Sequence, residues 1–401
     1  MIRTSLLAAG VCAAACGATL YAAAPSVPPP IASYWMDVAT SSGLGAGMTP
    51  GARPSISQVM GMMNGGSSVG HTLDLRLASK NKAAAGAEAD HLIPPGLQMG
   101  PSLPLTTPAV AKPEPTTPGV PAQFQRPKGR MLIYWGCGEH AGASQPMVID
   151  FAKVTEGKMP PGFASAMASM AHVVSGPHSA AGFGRWPNDR DSRAVPVSGS
   201  LLGGHKIQAS YAPPIAFNLG AGQDFMAGLG LREAGALPSG AARLQWNPVA
   251  QATGYALSMF GSNGNGDVVM WTSAKSASMP AMDYLAPSEV RRLVTAGSIL
   301  PASANECVLP AEVASASPAG MVMMIGYGPE ANFAEAPKAP KWVAKVRYKT
   351  TASLMRGMGA MMGGGMDVSD DEAPPQQQQP QQKRKRPGFG DLLKGAVGIP
   401  H

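Results

Sequence analysis

"RLQWNPVAQATGYALSMFGSNGNGDVVMWTS", residues 243–273, is the stretch on which the reading of this chain turns. "ARLQW" (242–246) predicts a strand ending in Trp246, and "NPVAQATG" (247–254) predicts a turn. "YALSMFG" (255–261) predicts a second strand. "SNGNGD" (262–267) is a hairpin signal, because Asn and Gly tolerate the positive φ that tight hairpin turns require. "VVMWTS" (268–273) then supplies the third strand.

Leu244, Trp246, Pro248, Val249, Ala252, Tyr255 and Leu257, followed by the Asn/Gly turn and by Val269 and Trp271, resemble a fibronectin type III module or a related immunoglobulin-like sandwich. The resemblance implies that Trp246 and Tyr255 pack together in a sandwich core. It extends at most over residues 222–352 and is specific over 243–273. The chain departs from the family at "APSEVRRLVTAG" (286–297), where Ser288 in a cap position and Val290, Leu293 and Val294 at helical spacing predict an inserted helix. "AGMVMMIGYGPE" (319–330) and "KWVAKVRYKTTASLM" (341–355) predict closing strands. The second alternates Trp342, Ala344, Val346 and Tyr348 with basic residues, as a half-buried strand does.

A second β-rich region with minor helix is expected over 130–220. "MLIYW" (131–135) and "PMVIDFAKV" (146–154) read as strands, and "GFASAMASMAHVV" (162–174) as a short helix. "GRWPNDRDSRAV" (184–195) reads as a polar loop that exposes Trp186 for contact. "GHKIQASYAPPIAFNL" (204–219) reads as strand, with Pro213 and Pro214 confining it to an edge or bend. Within 71–100, "HTLDLRLAS" (71–79) is a short β segment with Leu73, Leu75 and Leu77 on one face. Residues 25–70 and 353–401 read as disordered, and 101–129 as a Pro-rich linker. The expected fold class is therefore mainly β, a sandwich plus a second β-rich region, with long disordered segments.

Residues 1–24 combine Arg3, an apolar run from Leu6 and the small residues Ala22, Ala23 and Ala24 before a proline cluster. This predicts a signal peptide, with an uncleaved membrane anchor as the alternative, and so an exported body in the periplasm or at the cell surface. Its removal takes away Cys12 and Cys16. Cys137 and Cys307 are then left either to form one disulfide or to stand as separate thiols. The formal charge of +7 favours acidic partners.

No catalytic, cofactor-binding or metal-binding constellation is read. Gly66-Ser67-Ser68-Val69-Gly70 matches G-x-S-x-G without the strand and helix that expose a hydrolase nucleophile. Cys137, Glu139 and His140 cluster without ligand-like spacing to a further histidine. Lys383, Arg384, Lys385 and Arg386 form a basic run. In an exported chain it has no nucleic acid to meet, and it suits an envelope polymer, an anionic membrane surface or another envelope protein. The expected function is a non-enzymatic, envelope-associated interaction or structural protein. Two alternatives stay open: a hydrolase or carbohydrate-active enzyme centred on 130–220, and a copper-handling protein using Met60, Met62, Met63, Met355, Met358, Met361, Met362 and Met366.

Overall fold

Alternation with a period of two decides which side chains share a face, and pairing between strands decides what that face meets. A computed structural model describes residues 28–44, 46, 69–84, 86–107, 129–155 and 173–357. Strands dominate these residues, and the fold is mainly β. Numbered in chain order, the largest sheet runs β6 (Met147–Asp150), β5 (Arg130–Trp135), β13 (Val268–Thr272), β12 (Gly254–Ser262), β16 (Gly320–Ala334), β17 (Trp342–Arg356), β1 (Ala32–Gly43), β2 (Val69–Ser79), β7 (Gly182–Trp186). The short β14 (Leu300–Pro301) pairs beside β12, making ten strands. Neighbours are antiparallel except β5 with β13 and β17 with β1.

Two smaller sheets complete the fold. One orders β10 (Arg232–Ala236), β11 (Ala242–Gln245) and β15 (Glu306–Leu309). The other orders β4 (Ser102–Pro104), β3 (Ala89–Leu92), β8 (Gly203–Ala209) and β9 (Ala212–Leu219). Both cover the same face of the large sheet. The register aligns Tyr255 with Gly326, Gly326 with Thr350 and Thr350 with Thr40, so Tyr255 projects to the side that Tyr34, Met36 and Val38 occupy. On that side Trp246, just past β11, packs its ring 5.6 Å from Tyr255. Further along, Tyr34 bonds His91 of the four-stranded sheet at 2.9 Å. Tyr34, Met36, Tyr255, Leu257 and Met259 are fully buried there.

The opposite face is covered over Ala256, Ile325 and Tyr327 by α2 (Pro287–Thr295), through Val290 and Leu293. Beyond that helix, pairing aligns Met147, Ile133, Met270, Phe260, Met321 and Met355 in one row across six strands. Flexible methionines fill such a surface readily.

Several expectations change. Residues 25–70 contain β1, which lies between β17 and β2 inside the large sheet. Its Tyr34, Met36 and Val38 alternate as a core strand must, although Pro, Gly and Ser surround them. The division near residue 221 is not a boundary between sheets: β5 and β6 pair onto β13, and β7 pairs onto β2. "PMVIDFAKV" stays extended only to Asp150, after which α1 (Phe151–Thr155) turns the chain. Ser288 does not cap α2; Ala286 is the extended cap residue and Pro287 occupies the first turn, where its missing N–H leaves nothing unsatisfied. The linker contributes β4 through Ser102, and β17 continues past 353 to Arg356. Pro213 and Pro214 do sit in an edge strand, β9. The hairpin between β12 and β13 closes through Asn263, whose Oδ1 accepts the Asn265 and Asp267 amides at 3.0 Å, while Gly266 adopts φ +81°. The helix expected from 162 falls outside the described residues up to 172.

Candidate functional site

On the face opposite the two small sheets, β2, β1 and β17 present charged side chains in cross-strand rows. A bulge in β16 between Tyr327 and Glu330 shifts its phase by one residue, which sets Glu330 opposite Arg347. Gly328 lies within it; a Cβ there would stand 2.5 Å from the Tyr348 carbonyl oxygen, so the close approach requires glycine. One row then reads Glu330, Arg347, Asp37, Asp74, and the next reads Lys345, Trp35, Arg76, Arg185.

Arg347 is the centre of this surface. Its Nε and Nη2 donate to the two Asp37 oxygens at 2.7 and 2.5 Å, and Nη1 donates to the Val174 carbonyl at 2.6 Å. The guanidinium also lies 4.6 Å from the ring centres of both Trp35 and Tyr284. Burial, then the nearby Asp37 charge, holds the Tyr284 phenol well above its ordinary value, so it remains protonated. Lys349 stands 4.2 Å from the Tyr284 ring and 3.3 Å from Asp283. Burial pulls the Lys349 ammonium down, against the opposing pull of Asp283. Asp74 accepts from Arg76 at 3.0 and 2.8 Å and from Arg185 at 3.0 Å.

These groups border a cleft of about 640 Å³, within the ~300–1,000 Å³ common for ligand pockets. Its far wall comes from residues 175–178 and 192–197. His71 stacks on Phe225 at 3.8 Å, and its Nδ1 lies 3.2 Å from the Pro196 carbonyl oxygen. A carbonyl only accepts, so Nδ1 carries the proton and the neutral ring keeps a lone pair at Nε2. Burial lowers the His71 pKa despite that bond and the Asp224 charge, which favours this neutral form.

Cys137 and Cys307 are joined, S–S 2.04 Å, linking the segment after β5 to β15. Trp186, expected as an exposed contact, is instead 2% exposed, although it contributes to the cleft wall. The reason is register: it ends β7 opposite Leu75, a fully buried residue of β2, and pairing turns the indole to the core side. His140 pairs with Glu312 at 3.0 Å, and among the described residues no group of three or more His, Cys, Asp or Glu is placed to hold a metal ion. Within 130–220, Asp150 bonds the Ala152 amide and Asp191 bonds Arg193, so these two carboxylates serve local pairs. Ser68, Met60, Met62, Met63, Met358, Met361, Met362, Met366, Lys383, Arg384, Lys385, Arg386 and residues 1–24 lie outside the described residues.

Trp35, Asp37, Asp74, Arg76 and Tyr284 were not singled out from the sequence. The signal was present in "YWMDVA" (34–39) and "LDLRLA" (73–78), where charged or aromatic residues alternate with apolar ones. Among the described residues no helix is long and apolar enough to cross a membrane. Compared with protein-family models, with curated proteins and with solved structures, the chain finds no match.

Proposed function

We propose that this chain is an exported, non-enzymatic binding and structural protein of the cell envelope, with a fibronectin type III-like module over residues 222–352. The observation that carries the reading is the continuous ten-stranded sheet, which joins that module to the rest of the chain and presents a cleft lined by charged side chains. Asp37, Asp74 and Asp283 are each bound to a cation, an arrangement suited to holding a shape rather than to moving protons. Order β10-β11-β15 facing β13-β12-β16-β17, with Trp246 against Tyr255 between them, supports the module assignment. The 137–307 disulfide supports an oxidising compartment. The basic run at 383–386 then supplies a salt-sensitive contact to anionic envelope surfaces.

The test is co-sedimentation with isolated envelope fragments and with phosphatidylglycerol vesicles over a range of salt, using the full chain and a chain lacking residues 383–401. The full chain should be retained at low salt and the shortened one released at lower salt. Equal retention of both at every salt removes the tail's role. Absence of retention for the full chain at any salt, or a cytosolic protein that keeps Met1, overturns the envelope reading.

A further inference from the structure

We infer that the cleft beside β1, β2 and β17 binds a sugar residue bearing a single carboxylate, such as a uronic acid of an envelope polysaccharide. This rests on the reading above and names the ligand class of its site. The charge balance comes first. Arg347 has Asp37, Lys349 has Asp283 and Arg193 has Asp191, but Arg76 and Arg185 share Asp74. One carboxylate between two guanidinium groups leaves one positive charge in surplus. The Arg185 side chain is 46% exposed, so it can turn further N–H groups to an incoming anion. A planar guanidinium matches a carboxylate by paired hydrogen bonds.

Hydroxyl recognition is the second element. Asp74 has acceptor capacity beyond its arginine bonds, since an ionised carboxylate offers about four lone-pair directions. Acceptors of this kind take hydroxyl donors and repel further negative charge. A ligand with one anionic group and several hydroxyls satisfies both halves of the cleft, whereas a multiply charged phosphate meets Asp74 and Asp283 unfavourably. The exposed Val197 side chain supplies apolar surface for the C–H face of a sugar.

Calorimetric titration of the full chain tests this with three probes: a glucuronate-containing disaccharide, neutral cellobiose and inorganic phosphate. The acidic disaccharide should bind, cellobiose and phosphate should each bind at least about tenfold more weakly, and Arg185→Gln should weaken the disaccharide by about ten- to a hundredfold, the loss of one charge-assisted bond. Equal binding of cellobiose shows that charge plays no part; equal binding of phosphate shows a simple anion site. Either result, an unchanged Arg185→Gln affinity or no binding of the disaccharide overturns the inference. Far-ultraviolet circular dichroism of Arg185→Gln separates misfolding from lost contacts, and Arg185, being half exposed, is a position whose replacement is expected to fold. Retention of the parent on envelope fragments is measured separately, so failure of the sugar site leaves the envelope reading standing, and loss of retention fails that reading independently.

Discussion

Arg347 and Asp37 stand 310 positions apart in the chain yet directly opposite each other on adjacent parallel strands, joined by two hydrogen bonds and each 5% exposed at the side chain. The pair fastens β17 to β1, and with them the two halves of the sheet. A buried ion pair contributes little net stability against an apolar substitute, but removal of one member strands the other charge. Asp37→Ala should therefore destabilise the protein by about 3–5 kcal/mol. The double replacement Asp37→Leu with Arg347→Met should recover much of that loss. Urea unfolding of the parent, the single and the double variants checks it; a single variant as stable as the parent would show that water solvates Arg347.

Trp246→Ala should cost about 3–5 kcal/mol, the usual penalty for emptying a buried aromatic site. Trp246 is 2% exposed, and the Tyr255 hydroxyl against which it packs accepts the Val249 amide at 3.0 Å. The change opens a void between β11 and β12. Thermal and denaturant unfolding measure it, and a loss below about 1 kcal/mol would mean that the surrounding strands collapse onto the space.

The core contains a directed chain of hydrogen bonds whose protons can be assigned. His205 Nε2 lies 2.7 Å from the Leu201 carbonyl oxygen, so it is the protonated nitrogen. His205 Nδ1 then accepts from His91 Nε2 at 2.9 Å, and His91 Nδ1 accepts from the Tyr34 hydroxyl. A further proton on His205 would set its Nδ1 against the His91 Nε2 donor, and one on His91 Nδ1 would force the Tyr34 hydroxyl to turn from donor to acceptor. Burial lowers both imidazole pKa values, with His205 adding to the effect on His91. Depressed folded-state values mean that the unfolded chain binds protons first. Stability is fully present above about pH 6.5 and falls as pH drops below it, by up to about 1.4 kcal/mol per pH unit for each histidine. Denaturant midpoints between pH 7.5 and 5 should show this slope, with His91→Leu reducing it. A midpoint independent of pH over that range would refute the assignment.

Replacing both Cys137 and Cys307 with Ser releases a constraint across 170 positions. Loop-closure entropy for that separation gives about 5 kcal/mol as a ceiling, with 2–4 kcal/mol typical of measured disulfides. Comparing the parent with the double variant by unfolding under non-reducing conditions gives the value. No change in midpoint would show that the unfolded chain gains little freedom from the release.

The sequence alone determined the local terms of this structure. The alternation of Leu73, Leu75 and Leu77, the Asn263–Gly266 turn and the closing strands at 319–355 were legible because each depends on residues within a few positions. The juxtaposition of Trp246 and Tyr255 was implied by a resemblance whose motif lies within one short segment. Tertiary structure decided which strands become neighbours. A period of two states that Tyr34, Met36 and Val38 share a face, and that Trp35 and Asp37 share the other. It is silent on whether β1 pairs at all, and a Pro- and Gly-rich setting hid it. Trp186 shows the same limit: its neighbours in sequence are polar, and only pairing with β2 sends it inward opposite Leu75. The cleft depends on that long-range register even more strongly. Glu330, Arg347, Asp37 and Asp74 form one row because a single-residue bulge in β16 and a parallel pairing across some three hundred positions align them. Side-chain direction is a local property of an extended chain, whereas strand adjacency is settled by burial summed over the whole molecule.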